Sequence, residues 1–385
     1  MTPVQPEPTG LSVTLCRDPD RFAALAPQWT ELYRHCRTAT PFQSHAWLHS
    51  WWLSYGRPGR LRLVLVHQGA RLVAVAPLML VRRPLPTLVP LGGDISDFRD
   101  VLLDDACEHS AADALTRGLR RAARTAVVDL SEVRPGGAAE QIFRRWTGPR
   151  RRLTDSVCLE LPGASMDDLV NRLSAPSARR TRDKLRKLDA LGIEHRMVPE
   201  HEVPAAVANL LRLHGLQWRG RGVTPEHLKP RFAEHLARAT RQMVGTGDTL
   251  LTEFRLDDRV LATDVTLMSA DLAGGYLYGA HPDLRAKADI ATMLLRREAT
   301  HASETGRSVL SLLRGAESYK QRWQPVTVTN GRFLLARRGL APALSLYAAR
   351  ATGRVRLARA ARTRLPALLA WCSRLKRWRA PGAEK

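Results

Sequence analysis

Arg71-Leu72-Val73-Ala74-Val75-Ala76-Pro77-Leu78-Met79-Leu80 and, 188 positions later, Arg259-Val260-Leu261-Ala262-Thr263-Asp264-Val265-Thr266-Leu267-Met268 are the stretches that decide the fold. Both are short apolar runs rich in valine and leucine, too short for a helix pair and bounded by turn residues, so both read as strands. Each is the second arm of a hairpin. Leu61 to His67 precedes the first across Gln68-Gly69-Ala70, and Thr249 to Leu256 precedes the second across Asp257-Asp258. Working outward, the first hairpin leads through Leu88 to Asp105 into a helix over Ala111 to Arg124 and a strand over Ala126 to Leu130. The second leads through a strand over Gly275 to Gly279 into a helix over Ile290 to Thr305 and a strand over Ser308 to Leu313. Hairpin, helix and strand, twice over, imply an α/β fold with a mixed sheet and duplicated lobes.

Upstream of each hairpin the period is helical. Asp20 to Arg37 carries Phe22, Leu25, Trp29, Leu32 and Tyr33 at helical spacing, and Pro41 to Gly56 places Trp47, Trp51 and Tyr55 on one stripe behind Ser44 as N-cap. That stripe reads as core packing. Between the lobes, Ala175 to Gly192 is a strongly basic helix, and Pro204 to Gly220 is another helix with its proline in the first turn.

A chain of 385 residues exceeds the roughly 250 that one core organises, which argues for two domains. The five cysteines form no C-x-x-C pair, which disfavours both a disulfide framework and a zinc site, and no metal is expected. The N-terminal residues lack the basic-then-apolar order of a signal peptide and no stretch of about 18 apolar residues occurs, so a cytoplasmic location is expected. The formal charge of +23 is concentrated: residues 341–385 hold eleven basic residues against Glu384 alone. There Leu368, Trp371, Leu375 and Trp378 share a helical face flanked by arginines, the pattern of a helix that lies on an anionic membrane.

Four local patterns, in this order, resemble the CelD-like acetyltransferases, a branch of the GNAT superfamily related in fold to the Fem-type peptidyltransferases. They are Pro41-Phe42-Gln43-Ser44 to Trp47 with Trp51-Trp52; Leu91-Gly92-Gly93 to Asp97-Phe98; the basic helix Arg179 to Gly192 followed by Leu213-His214 and Trp218; and Gly315-Ala316-Glu317-Ser318-Tyr319-Lys320-Gln321-Arg322-Trp323. The resemblance implies two tandem GNAT-like lobes, placed here over 13–155 and 156–340; composition sets off a disordered 1–12 before them and a basic amphipathic tail over 341–385 after them. It implies an active site in the cleft between the lobes and an acyl donor on the second. Acetyl-CoA or another acyl-CoA is the implied co-substrate, and an amino sugar, polysaccharide precursor or other envelope metabolite the implied acceptor. Fem-type relatives use aminoacyl-tRNA, for which the basic helix Arg179 to Lys187 offers an electrostatic footprint. A non-catalytic scaffold for exopolysaccharide assembly is the remaining implication.

Acyl transfer needs positioning, a base for the acceptor's proton and donors for the oxyanion. Lys320, held by Tyr319 and Trp323, is the expected oxyanion donor. Asp97, in the loop that also carries Asp94 and Asp100, is the expected base, with Asp94 gripping the acceptor. Asp264 is a second catalytic candidate, because a mid-strand carboxylate is costly without a partner; His281 or Arg285 would suit. His214 and Trp218 share a helix face and, with Tyr278, are expected to line the cleft. In a typical GNAT lobe an Arg/Gln-x-x-Gly-x-Gly/Ala loop receives the pyrophosphate. Here Arg285-Ala286-Lys287-Ala288-Asp289-Ile290 stands in its place without glycine, leaving Arg285, Lys287, Ile290 and Ala291 as the implied cofactor contacts.

Overall fold

The computed structural model describes residues 10–82, 85–217 and 224–353. The first half runs β1 (Leu11–Cys16), α1 (Pro19–Ala24), α2 (Ala26–Arg34), the aromatic helix α3 (His45–Tyr55), the hairpin β2 (Leu61–Gln68) and β3 (Arg71–Arg82), β4 (Pro86–Pro90), β5 (Leu102–Leu103), α4 (Glu108–Ala122), β6 (Val127–Val133) and α5 (Ala139–Arg145). The long β7 (Arg150–Pro162) leads to α6 (Met166–Asn171), the basic helix α7 (Ala175–Ala190), β8 (Glu194–Met197), α8 (Val203–Gln217) and α9 (Pro230–Gly245). The second hairpin, β9 (Thr249–Leu256) and β10 (Arg259–Met268), is followed by β11 (Leu272–Ala280), α10 (Pro282–Lys287), α11 (Ile290–Glu304), β12 (Val309–Arg314), α12 (Ser318–Gln321) and β13 (Val326–Leu335).

Both hairpins fall where the alternation puts them. Residues 20–37 form two helices and not the single one expected, because Pro27 lies in the first turn of α2 and cannot continue the helix before it. Ser44 caps α3 by accepting a hydrogen bond from Trp47 N at 3.2 Å, while Pro41–Gln43 before it forms a separate 3₁₀ turn.

The strands make one mixed sheet in the order β1-β2-β3-β4-β6-β13-β7-β12-β11-β10-β9-β8. Its two wings repeat each other. In each, an antiparallel hairpin pairs with a third antiparallel strand, a helix follows, and the next strand returns parallel: β4 beside β6, β11 beside β12. The centre is a swap. β7 follows the first wing in sequence but pairs with β12 of the second; β13 follows the second wing but pairs with β6 of the first. β7 and β13 then pair with each other from Arg150↔Leu335 to Glu160↔Val326. Residues 155 and 156 therefore lie within one strand, and the two halves share backbone hydrogen bonds along the whole joint.

The apolar faces follow the same plan. On one side α4 packs Ala111, Leu115 and Leu119 onto Val64, Ala76 and Leu78. On the other, a core shared by both halves runs from Trp29, Phe42 and Trp47 to Phe232, Leu236 and Val265. α3 and α9 meet across it, where Ser50 Oγ donates to the carbonyl of His235 at 2.9 Å and the Trp47 and His235 rings sit 4.6 Å apart, edge to face. Residues 341–353 continue as a helix whose Leu344 is buried against Val127 and Leu334, and Tyr347 donates to Asp129 at 2.8 Å. The amphipathic face at Leu368 to Trp378 lies outside the described residues. No helix among those described is long and apolar enough to cross a membrane.

Candidate functional site

A cleft of about 1370 Å³ opens where the two halves meet. Trp51 and Tyr55 of α3, stacked at 5.5 Å, form one rim with the loop at Gly93 to Asp97. Gly92 and Gly93 both hold left-handed backbone there, and a Cβ on Gly92 would meet Ser96 Oγ at 2.3 Å, the oxygen that accepts from Trp47 Nε1 at 2.8 Å. The opposite wall is His214, the turn at Glu226 to Arg231, and Tyr276 to Tyr278 of β11.

Around the floor runs a polar network drawn from all four central strands. Arg314 of β12 donates through Nε to Asp97 Oδ1 at 2.6 Å and through Nη1 to Glu132 of β6 at 3.3 Å. Asn330 of β13 donates to Glu132 at 3.0 Å and to Ser156 of β7 at 3.2 Å, and Asp155 Oδ2 accepts from Glu132 N at 3.0 Å. Each pairing among these strands slips register here, and Glu132 and Leu313 take positive φ, 56° and 57°. Bulges of this kind re-aim side chains at a sheet's functional end. Burial and the nearby Glu132 raise the Asp155 carboxyl above its usual range.

Lys320 is buried one step behind this floor. Its Nζ donates to the Arg314 carbonyl at 2.8 Å and pairs with Glu317 at 2.8 Å, which among the described residues leaves one of its three N–H bonds uncommitted. Its side chain also lines a second cavity of about 80 Å³, together with Asp264, Gly275, Tyr278, Glu298, Tyr319 and Trp323. Tyr278 borders both spaces. The slot exists because β11 and β12 pair only from Leu272↔Val309 to Gly274↔Ser311 and then part. Gly275 makes room there: a Cβ would stand 2.2 Å from Glu298 Oε1 and push that carboxyl aside.

Two histidines border the cleft. His214 Nδ1 lies 2.7 Å from the Tyr278 carbonyl, which can only accept, so Nδ1 carries the proton and Nε2 accepts, 3.3 Å from His227 Nδ1. Burial lowers both imidazoles, that of His227 to about 4, with the charge of His214 a second cause. Both are neutral at physiological pH.

The N-terminus of α11, where a pyrophosphate would be cradled in a GNAT lobe, is already filled. Asp289 caps it, accepting from Thr292 N at 2.9 Å, and its carboxylate pairs with Lys184 at 2.5 Å and Arg322 at 3.0 Å. These partners hold Asp289 far below the ordinary carboxylate range against the opposing effect of burial. A diphosphate would have to displace a carboxylate that already holds both cations. Arg285 and Lys287 stand exposed on α10, while Ile290 is buried and Ala291 half-buried at the start of α11.

The structure thus brings together Lys320, Tyr319, Trp323, Tyr278 and Asp264 around the slot, and Asp94, Asp97 and His214 along the cleft. Trp218 lies outside the described residues. Asp97 is committed to Arg314, so its geometry is that of a latch between the halves. Asp264 is not partnered by His281 or Arg285: His281 instead caps α10 through Asp283 N at 3.2 Å, and Asp264 accepts from Thr266 Oγ1 at 2.8 Å. Arg314, Glu132, Asn330, His227 and Glu298 were not singled out by sequence. Glu132 had the same signal as Asp264, a carboxylate inside an apolar strand.

With this geometry established, residues 176–321 match the family described as "Acetyltransferase (GNAT) domain". Among curated proteins none matches the chain in sequence. Solved structures share the fold: FemX, at 12% identity and TM-score 0.60, over 83% of this chain and 98% of that one; the C-terminal domain of a putative lysylphosphatidylglycerol synthetase from Agrobacterium fabrum, at 12% and 0.54, over 85% and 95%; and L-PGS from Bacillus licheniformis, at 10% and 0.52, over 88% and 97%. The chain shares the fold of these structures, and residues 176–321 carry the match to a GNAT acetyltransferase domain. The finer CelD-like assignment rests on the four local patterns alone.

Proposed function

We propose that the protein transfers an acyl group from an activated ester or thioester to an amine or hydroxyl held in the cleft, the acceptor being an amino sugar or another envelope glycan precursor. The observation that carries this reading is Lys320, buried, with one N–H left over among the described residues, lining the slot that adjoins the cleft at Tyr278. The acceptor's nitrogen or oxygen attacks the carbonyl carbon, the carbonyl oxygen gathers charge beside Lys320 Nζ, and the bond to the leaving oxygen or sulfur breaks as the acceptor's proton passes to that atom. The neutral His214–His227 pair supports the reading as a route for that proton. The stacked Trp51 and Tyr55 at the rim suit a ring-bearing acceptor.

Two kinds of donor come into question. Acyl-CoA follows from the family match; the capped N-terminus of α11 does not fit its diphosphate, and we derive no step through it. An aminoacyl donor is favoured by the same observation and by exposed Arg179, Arg180 and Lys187 on α7, a surface for a polyanion such as tRNA. The test is turnover of Lys320→Met with radiolabelled donors of both kinds. A fall of about a hundredfold or more in kcat with donor binding retained is expected; wild-type turnover would remove Lys320 from the chemistry.

A further inference from the structure

We propose that the slot beside Lys320 binds a primary ammonium group, the charged amino end of an aminoacyl donor, between the carboxyl groups of Asp264 and Glu298 and the rings of Tyr278, Tyr319 and Trp323. This deepens the acyl-transfer reading and rests on it for the word donor; the ammonium site itself stands on the slot.

Two carboxyl groups from different elements, β10 and α11, converge on a space of about 80 Å³, room for an ammonium and a short carbon stem. Asp264 and Glu298 are only 3% and 8% exposed. Asp264 accepts one hydrogen bond, from Thr266; Glu298 feels the charges of Asp264 and Lys320 but makes no hydrogen bond or close ion pair among the described residues. A buried carboxyl without a partner costs free energy unless it is neutral or a ligand completes it. Lys320 does not complete it by hydrogen bond: its Nζ is directed to Arg314 O and Glu317. Tyr278, Tyr319 and Trp323 add three rings to a lining that also includes Ala291, Leu294, Leu295, Leu312 and the side chain of Lys320, and a cation is drawn to ring faces as well as to carboxylates. A neutral acyl group such as acetyl would leave both carboxyls unmatched.

The groups facing the slot fix its response to pH: Asp264 on β10, Glu298 on α11, Tyr278 on β11, and Tyr319 and Lys320 on α12. Burial raises the Asp264 carboxyl to about 7, and burial followed by the neighbouring Asp264 raises that of Glu298 well above its ordinary range, against the opposing charge of Lys320. An empty slot therefore keeps a proton, and an entering ammonium replaces it. Affinity should rise with pH through neutrality, then fall as an α-amino ligand itself deprotonates near about 8.

Isothermal titration of the full chain with alaninamide, and with propionamide and lactamide as neutral isosteres, decides the matter. Alaninamide is expected to bind, the isosteres to bind at least about tenfold more weakly, and Glu298→Gln to lose about tenfold for alaninamide only, since one charged hydrogen bond is removed. Equal binding of the three ligands, no binding of alaninamide, or wild-type binding by Glu298→Gln would overturn the proposal. If that variant fails to fold, the wild type still answers: the measured heat must vary with the ionisation enthalpy of the buffer, because a proton leaves on binding, and a buffer-independent heat overturns it. These readouts need no turnover. Absence of acyl transfer from any donor would sink the functional reading and leave the ammonium site standing.

Discussion

The two wings of the sheet have the same plan and opposite interiors. Where β3 carries Ala76, fully buried under α4, the matching position 188 residues later on β10 is Asp264. α4 and α11 are both fifteen residues long. The ninth position of α4 is Thr116, which satisfies itself by donating to Ala112 O at 2.7 Å; the ninth of α11 is Glu298, which has no such recourse. At these two positions the first wing has an apolar side chain and a hydroxyl that is already bonded. The other retains two carboxyls at the point where β11 and β12 part, which a purely structural lobe has no reason to keep.

The comparison can be broken by making the wings alike. Ala76→Asp imports the buried carboxyl of the second wing into the first, inside the apolar cluster that holds Val64, Leu78 and Leu115. We expect a loss of about 4 kcal/mol in unfolding free energy by urea titration at pH 8. A loss under about 1 kcal/mol would show that the first wing is as permissive as the second. The reverse exchange sharpens the contrast. The folded-state pKa of Asp264 is raised from 3.8 to about 7, so the native state holds that proton more tightly than the unfolded chain does, and this residue lowers stability as pH climbs through that window. Asp264→Asn should therefore stabilise the protein, by about 1–3 kcal/mol at pH 8 and by less at pH 5. A gain that does not change with pH would show that Asp264 is not held neutral.

The repeat was legible because hairpins are local: alternation and a two- or three-residue turn define both arms. The swap was not. β7 opens with Arg150-Arg151-Arg152, which reads as a charged surface cluster, and β13 is interrupted by Asn330-Gly331. Each finds its partners far away in sequence, Leu335 on Val128 and Arg150, so no window of sequence contains the pairing. The site divides in the same way. Lys320 was visible through its aromatic neighbours and Asp264 through its place in a strand. Glu298 follows Arg296 and Arg297 on an amphipathic helix and looks like solvent-facing charge; only the parting of β11 from β12 turns it inward. Arg314, Glu132 and Asn330 meet through register slips, which composition does not announce.

The smallest expected effect tests the one irregularity the first wing lacks. β3 and β4 pair without a slip from Leu78↔Pro90 to Arg82↔Pro86, whereas β10 and β11 step from Val265↔Leu277 to Thr266↔Gly275, leaving Tyr276 as the extra residue. That bulge turns the phenol across the joint, where its hydroxyl donates to the Ile95 carbonyl at 2.9 Å, and its ring meets Trp47 at 5.1 Å. Burial raises the phenol well above its ordinary range, so it stays a donor at any pH the fold survives. Tyr276→Phe keeps the ring contacts and removes only the hydrogen bond, stranding the Ile95 carbonyl. We expect a loss of about 1 kcal/mol, visible as a lower denaturation midpoint with an unchanged slope. If the bulge serves only to bend β11, the variant will match wild type; if it ties the second wing to the loop at Gly93 to Asp97, stability will fall and that loop's amides will exchange faster with solvent.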